Sequence, residues 1–132
     1  MRTIFLIIAI LLPVIVLHAQ DNGKKPTPRI THLDPAASRS LEILTGAPMT
    51  VTMRSGYVVL APGHSVGKHS TMANEEALVV LAGQGELRIT NGPVIPVKAF
   101  DVTYCPPEKE HDVVNTGTDT LRYVWLVAKA KQ

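Results

Sequence analysis

The 132-residue chain is 45% hydrophobic and 18% charged, which is the composition of one globular domain and excludes a disordered protein. Its formal net charge is only +2, and no run of Lys or Arg forms a phosphate-binding patch. We therefore expect no nucleic acid among its partners. Because Cys105 is the only cysteine, no intramolecular disulfide can form, and the domain must be stable through its core alone.

Residues 1–19 have the pattern of a secretory signal peptide, which predicts an N-terminal signal helix. Arg2 supplies a positive charge, residues 4–17 form an almost unbroken apolar run, and Ala19 is a small residue at a cleavage position. The run has about fourteen residues, whereas a transmembrane helix needs ~20. The pattern predicts a secreted or periplasmic protein. The alternative is an uncleaved anchor, which would be the only predicted contact with a membrane.

Residues 20–38 are rich in Pro and charged side chains and show no periodicity, which favours a flexible linker. Within this segment, residues 30–33 could instead form an edge strand. Residues 39–132 are expected to form the folded domain, because the apolar pattern of a core begins at Leu41.

From Met49 onward the chain consists of short β-forming segments separated by turns. Ser55 and Gly56 interrupt the first of them, and Asn91 with Gly92 is a strong hairpin signal because both residues tolerate positive φ. The pattern predicts an all-β barrel or sandwich. The expected β-forming segments lie over residues 51–53 and 57–60, on either side of that interruption, and over residues 77–81, 87–90, 94–97, 102–105, 113–114 and 121–127.

Three side chains of this β-domain suggest a metal site. Residues two apart on a strand face the same side, so His69 and Glu76 on one hairpin can meet His111 from a distant strand in the mouth of a barrel. Imidazole nitrogen and carboxylate oxygen together suit Mn, Fe, Ni, Co, Cu or Zn.

The spacing of these residues resembles the first motif of the cupin superfamily, G-x5-H-x-H-x3–4-E-x6-G. Five residues separate Gly63 from His69, Thr71 stands where the second His is expected, and Glu76 and Gly83 follow at the motif's intervals.

The second cupin motif, G-x5-P-x-G-x2-H-x3-N, is also similar to this sequence. Pro106, His111 and Asn115 match it, while Phe100 and Glu108 replace its two glycines. The resemblance covers roughly residues 51–127 and points to the small, single-domain cupins.

The resemblance implies a double-stranded jelly-roll β-barrel, often a homodimer, with a metal held by three His and one Glu. Thr71 removes one of these ligands, and His69, Glu76 and His111 remain. One hypothesis is a barrel that binds Mn, Fe, Ni or Zn and a small oxygen-bearing molecule, as a metal-dependent oxygenase, isomerase or lyase. The other is a non-catalytic barrel that binds a carbohydrate or metabolite through a degenerate metal site.

Two alternatives concern the ligands themselves. Glu75 competes with Glu76, because the motif tolerates either spacing. His64 would supply the missing imidazole if its loop folded back toward the barrel.

Thr71, Tyr57 and Cys105 are the expected contacts of the small-molecule ligand. Thr71 would line the pocket and orient a bound water. Tyr57 is a candidate for either the core or the pocket rim. Cys105 is either a buried small hydrophobic residue, which is the usual role of a lone cysteine, or a ligand contact.

Overall fold

The structure, a computed structural model, describes residues 25–130. The predicted signal segment and the first part of the predicted linker lie outside the described residues. In the part of the chain that the structure describes, no helix is long and apolar enough to cross a membrane.

Within residues 25–130, eight strands form two antiparallel sheets, which confirms the prediction of an all-β jelly-roll barrel. The first sheet has the order β1-β2-β8-β3-β6 and the second has the order β5-β4-β7. The strands are β1 (Leu41–Thr45), β2 (Arg54–Leu60), β3 (Asn74–Ala82), β4 (Gln84–Ile89), β5 (Val94–Lys98), β6 (Val102–Cys105), β7 (His111–Val114) and β8 (Leu121–Lys129).

The core lies between the two sheets because every second side chain of the central strands points inward. On β3 the buried residues are Glu76, Leu78 and Val80, and on β8 they are Leu121 and Tyr123. Leu87, Val97 and Val113 of the second sheet complete one contiguous apolar cluster. The metal-site candidate Glu76 therefore lies in the same row of β3 as two core residues.

The strand pattern corrects one expectation about β2. Ser55 and Gly56 lie inside this strand instead of breaking it, and both are buried. The Ser55 hydroxyl donates to the backbone oxygen of Trp125 at 2.7 Å. A Cβ on Gly56 would lie only 2.5 Å from Nε1 of Trp125, so the indole packs directly against the glycine backbone. This contact compensates for the weak strand propensity of glycine.

Residues 30–33 form no strand, so the edge-strand alternative is not observed. The following segment instead covers the outer face of β2 and β8. The guanidinium of Arg122 donates to the backbone oxygen of Ala37 at 2.7 Å and to the hydroxyl of Tyr57 at 3.1 Å.

Phe100 and Glu108, which replace the two glycines of the second motif, keep a glycine-like backbone. Their φ angles are 74° and 60°, in the left-handed region that side chains with a Cβ avoid. The fold thus retains the turns of the motif although the residues that favour them are absent.

Candidate metal centre and ligand cavity

Backbone pairing brings His69 and His111 together. The amide of His69 donates to the oxygen of His111 at 2.9 Å, and the amide of His111 donates to the oxygen of His69 at 2.8 Å. Side chains of such an antiparallel pair lie on the same face. The two imidazole centroids are accordingly 4.5 Å apart, with an angle of 56° between the rings.

Asp112 fixes the segment that carries His69. The hydroxyl of Ser65 lies 2.7 and 2.6 Å from the two oxygens of the Asp112 carboxylate. The amide of Gly67 donates to Oδ1 of the same carboxylate at 3.0 Å. Residues 65–69 are therefore attached to β7 by side-chain bonds in addition to two isolated backbone bridges.

Glu76 provides the third candidate ligand from the opposite sheet. Its side chain is buried, and its Oε2 lies 2.9 Å from Nε2 of the buried His111. One ligand atom from each of His69, Glu76 and His111 lies within 4.8 Å of the others. The structure thus brings together the three residues that the sequence predicted as metal ligands.

The hydrogen bonds of both histidines leave Nε2 available to a metal. Nδ1 of His69 lies 2.9 Å from the backbone oxygen of Gly67, and Nδ1 of His111 lies 3.0 Å from that of Lys109. Because a carbonyl oxygen only accepts, each Nδ1 carries the hydrogen, and a neutral ring then has a lone pair on Nε2.

This tautomer leaves Oε2 of Glu76 without a hydrogen-bond donor, and no other group in residues 25–130 supplies one. Two buried lone-pair atoms 2.9 Å apart repel each other unless a positive charge lies between or beside them. A proton on His111 or a bound cation would meet this requirement, so the residues present fit a divalent metal.

The same contact determines the protonation of His111. The Glu76 carboxylate beside Nε2 raises the pKa of His111, while burial opposes the increase. Without a metal, the contact with Glu76 therefore favours the protonated form of His111.

The two alternative ligands lie elsewhere. Glu75 faces outward from β3, where its carboxylate accepts a hydrogen bond from the Tyr104 hydroxyl at 3.2 Å. His64 is exposed, with Nδ1 3.1 Å from the backbone oxygen of Pro62, and it is absent from the three-residue cluster.

A cavity of about 460 Å³ opens beside His69 and Glu76, between the two sheets. Its walls combine apolar side chains with a polar rim. The lining residues are Thr52, Arg54, Val58, Val66, His69, Ser70, Thr71, Met72, Asn74, Glu76, Val113, Tyr123, Trp125 and Val127.

Thr71 lines this cavity, as the sequence predicted, but its hydroxyl is already engaged. It donates to the backbone oxygen of Asn74 at 3.0 Å and helps to close the turn before β3. Where the motif has a second imidazole, Thr71 therefore has a hydroxyl that is hydrogen-bonded to the backbone.

Tyr57, which the sequence predicted as a ligand contact, does not line the cavity. It alternates with Val58 along β2 and so faces the outside of the barrel, where the segment before β1 covers it. The amino-acid sequence alone could not assign the face, because Gly56 and Ser55 obscure the alternation.

Cys105 also lies outside the cavity lining. Its buried sulfur is 3.4 Å from Nδ1 of His111, the ring nitrogen that is not directed at Glu76. Burial, followed by the nearby Glu76 carboxylate, raises the pKa of the thiol. The hydrophobic interpretation of Cys105 agrees with this position.

The sequence did not identify the main apolar lining of the cavity. Val58, Tyr123, Trp125 and Val127 lie on the inner face of β2 and β8. The signal was present in the alternation along β8, where every second residue from Leu121 points inward.

Comparison with known proteins supports the fold. Residues 56–127 match the family model described as a cupin domain. An oxalate-binding protein of Thermotoga maritima is 34% identical over 68 residues, which cover 52% of this chain and 55% of that protein. The chain thus spans about half the length of the curated relative it matches.

Solved structures share the same barrel. A cupin 2 conserved barrel domain protein from Salinispora arenicola CNS-205 is similar with a TM-score of 0.64 and 26% identity, over 79% of this chain and 91% of that chain. A predicted oxalate decarboxylase from Thermotoga maritima is similar with a TM-score of 0.55 and 22% identity, over 70% of this chain and 93% of that chain.

Proposed function

Since the chain belongs to the cupin domain family, we propose that it binds a divalent transition metal and a small oxygen-bearing molecule in its barrel. His69, Glu76 and His111 would hold the metal. Two nitrogens and one carboxylate oxygen suit Mn, Fe, Ni or Zn and leave open positions for a ligand.

The observation that carries the proposal is the pair formed by His111 and Glu76. Nε2 and Oε2 lie 2.9 Å apart in a buried place, and both histidines direct Nδ1 at a backbone oxygen. This is the arrangement in which outer hydrogen bonds orient imidazoles for a metal. When bound, a metal at this place would act as a Lewis acid on an oxygen of the ligand.

The position of the cavity supports the second half of the proposal. His69 and Glu76 lie on its wall, so a molecule in the cavity would reach the open positions of the metal. The relative from Thermotoga maritima carries the name of an oxalate-binding protein, which favours a ligand with paired oxygen atoms. Turnover of such a ligand, as an oxygenase, isomerase or lyase, is the finer form of this proposal.

Metal content is the direct test. We expect roughly one transition metal per chain after reconstitution, measured by elemental mass spectrometry, and loss of that metal in His69→Ala and His111→Ala. His64→Ala is the matched control, because His64 has the same contact to a backbone oxygen but lies outside the cluster. Glu76→Gln should also lose metal, whereas Glu75→Gln should retain it. Full metal content in both cluster histidine variants would contradict the proposal.

A second candidate is a non-catalytic barrel that binds a metabolite without a metal. The hydrogen bond from the Thr71 hydroxyl to the backbone oxygen of Asn74 favours this second candidate, because Thr71 then does not replace the missing fourth ligand of the family motif. This candidate predicts that a sugar or another metabolite raises the melting temperature in the presence of a chelator. If stabilisation by every ligand requires added metal, the first proposal is preferred.

Two further proposals follow from the sequence. We propose that residues 1–19 direct export and are removed, so that the mature protein is secreted or periplasmic. Mass spectrometry of the exported protein would show a chain that begins at Gln20. We also propose a homodimer, which light scattering of the purified protein would test.

A further inference from the structure

We infer that the ligand has a flat, apolar, aromatic body that lies on Trp125, together with two adjacent oxygen atoms directed at the metal. The chemical class is an aromatic compound with neighbouring hydroxyl groups. This inference rests on the proposed metal site and specifies which ligand the site accepts.

The size of the cavity is the first argument. Its volume of about 460 Å³ falls within the roughly 300–1,000 Å³ of pockets that enclose drug-sized molecules. A two-carbon dicarboxylate bound to the metal would leave most of this volume to water. A ligand that fills the cavity must therefore extend well beyond its chelating end.

The two walls of the cavity are apolar and come from opposite sheets. Val58, Trp125 and Val127 form the wall on the first sheet, and Val66 and Val113 form the wall beside the histidine pair. Burial of apolar surface against such walls favours a ligand with an apolar body.

Trp125 lies close to the sheet because its partner on β2 is Gly56. Any other residue would place a Cβ 2.5 Å from Nε1 of the indole and push the ring into the cavity. The glycine thus leaves room for a ligand beside the largest aromatic surface of the site. Planar ligands pack well on such a surface, in an offset or edge-to-face arrangement.

Three polar residues of the lining are already bonded within the protein, which disfavours a carbohydrate as the main ligand. The Thr71 hydroxyl donates to the backbone oxygen of Asn74, and the Asn74 amide donates to the backbone oxygen of Thr71 at 2.7 Å. At the mouth, Arg54 is paired with Glu42 at 3.0 Å. A sugar needs a partner for most of its hydroxyls, and these groups are already in use.

The test uses the zinc-loaded protein, because zinc has no redox chemistry, and three probes. Naphthalene-2,3-diol has a flat body and two adjacent oxygens, 2-naphthol has the body with one oxygen, and oxalate has the oxygens without the body. Trp125 is the only tryptophan of the chain, so its emission reports directly on the cavity. We expect the diol to quench this emission and to bind at least about tenfold more tightly than either other probe.

Two variants locate the binding site of the diol by calorimetry. Trp125→Leu should weaken diol binding about tenfold and leave both zinc content and oxalate affinity within about twofold. Val66→Gln, on the opposite and more exposed wall, should weaken diol binding in the same sense. Tyr104→Leu is the control, because Tyr104 is an exposed aromatic residue on the outer face.

The outcomes separate the two proposals. Zinc retention with oxalate binding as tightly as the diol would overturn the inference and leave the proposed function intact. Unchanged diol affinity in both Trp125→Leu and Val66→Gln would also overturn it. Failure of the wild-type protein to retain zinc would overturn the proposed function, and the inference with it.

Discussion

At the scale of single residues, the site depends on the short contact between His111 and Glu76, which requires a proton or a cation. Nε2 of His111 and Oε2 of Glu76 are buried and only 2.9 Å apart. Both Nδ1 atoms are held by backbone oxygens, so the remaining position of each ring is directed at the cluster. A proton and a metal ion therefore compete for the same place.

This competition predicts a pH dependence of the metal-free protein. Glu76 raises the pKa of His111 above its unfolded value, so the pair contributes its full stability below about pH 6.5 and loses it as the pH rises through the folded pKa. With a chelator present, the melting temperature should fall between pH 6 and pH 9 more in the wild type than in Glu76→Gln. Equal slopes for the two proteins would contradict the ion pair.

The replacement of two motif glycines is also a residue-scale feature with an energetic consequence. Glu108 is exposed, and its backbone has a φ of 60°. The left-handed conformation costs a residue with a Cβ about 1–2 kcal/mol, and a glycine at this position would remove that cost. The greater conformational freedom of glycine in the unfolded chain would offset part of the stabilisation. Glu108→Gly should raise the free energy of unfolding by about 0.5–1 kcal/mol in denaturant titrations. Glu108→Ala keeps the strained backbone, and an equal gain there would assign the effect to charge.

At the scale of elements, the position of His69 depends on the clamp between residues 65–69 and β7. The Asp112 carboxylate contacts both Ser65 and Gly67, and backbone bonds join His69 to His111. His69 itself is exposed, so packing alone does not hold it. The clamp is the structural reason that a loop residue is held close enough to Glu76 and His111 to be a candidate metal ligand.

Removal of the clamp should therefore weaken metal binding without unfolding the barrel. We expect Asp112→Ala to raise the dissociation constant for zinc about tenfold or more, as outer-shell changes do at metal sites. Asp119→Ala is the matched control, since Asp119 is an exposed turn residue. A competition assay with a chromogenic chelator would measure both constants, and equal affinities would show that the clamp is dispensable.

The strands show what the sequence could predict and what it could not. Alternation and turn residues located β4, β5 and β6, and the Asn91 turn was confirmed as the hairpin between β4 and β5. The cluster of His69, Glu76 and His111, as a candidate metal site, followed from motif spacing. The face of Tyr57 and the continuity of β2 did not, because both depend on the cross-strand contact between Gly56 and Trp125.

At the scale of the whole molecule, the candidate ligands join parts of the barrel that are far apart in the chain. Glu76 belongs to the first sheet, His111 to the second, and His69 to the segment that extends the second sheet. A metal held by all three would connect the two sheets at the open end of the barrel. Its binding should be coupled to the stability of the entire fold, since the unfolded chain cannot hold the three groups together.

This coupling predicts a concentration-dependent increase in melting temperature. At a free metal concentration of 100 times the dissociation constant, binding adds about 2.7 kcal/mol, which corresponds to roughly 10 °C for a domain of this size. Differential scanning calorimetry with zinc, followed by a chelator, should show the increase and its reversal. The double variant His69→Ala/His111→Ala should melt at the same temperature in both conditions. A shift of similar size in that variant would show that the ion stabilises the barrel from another site.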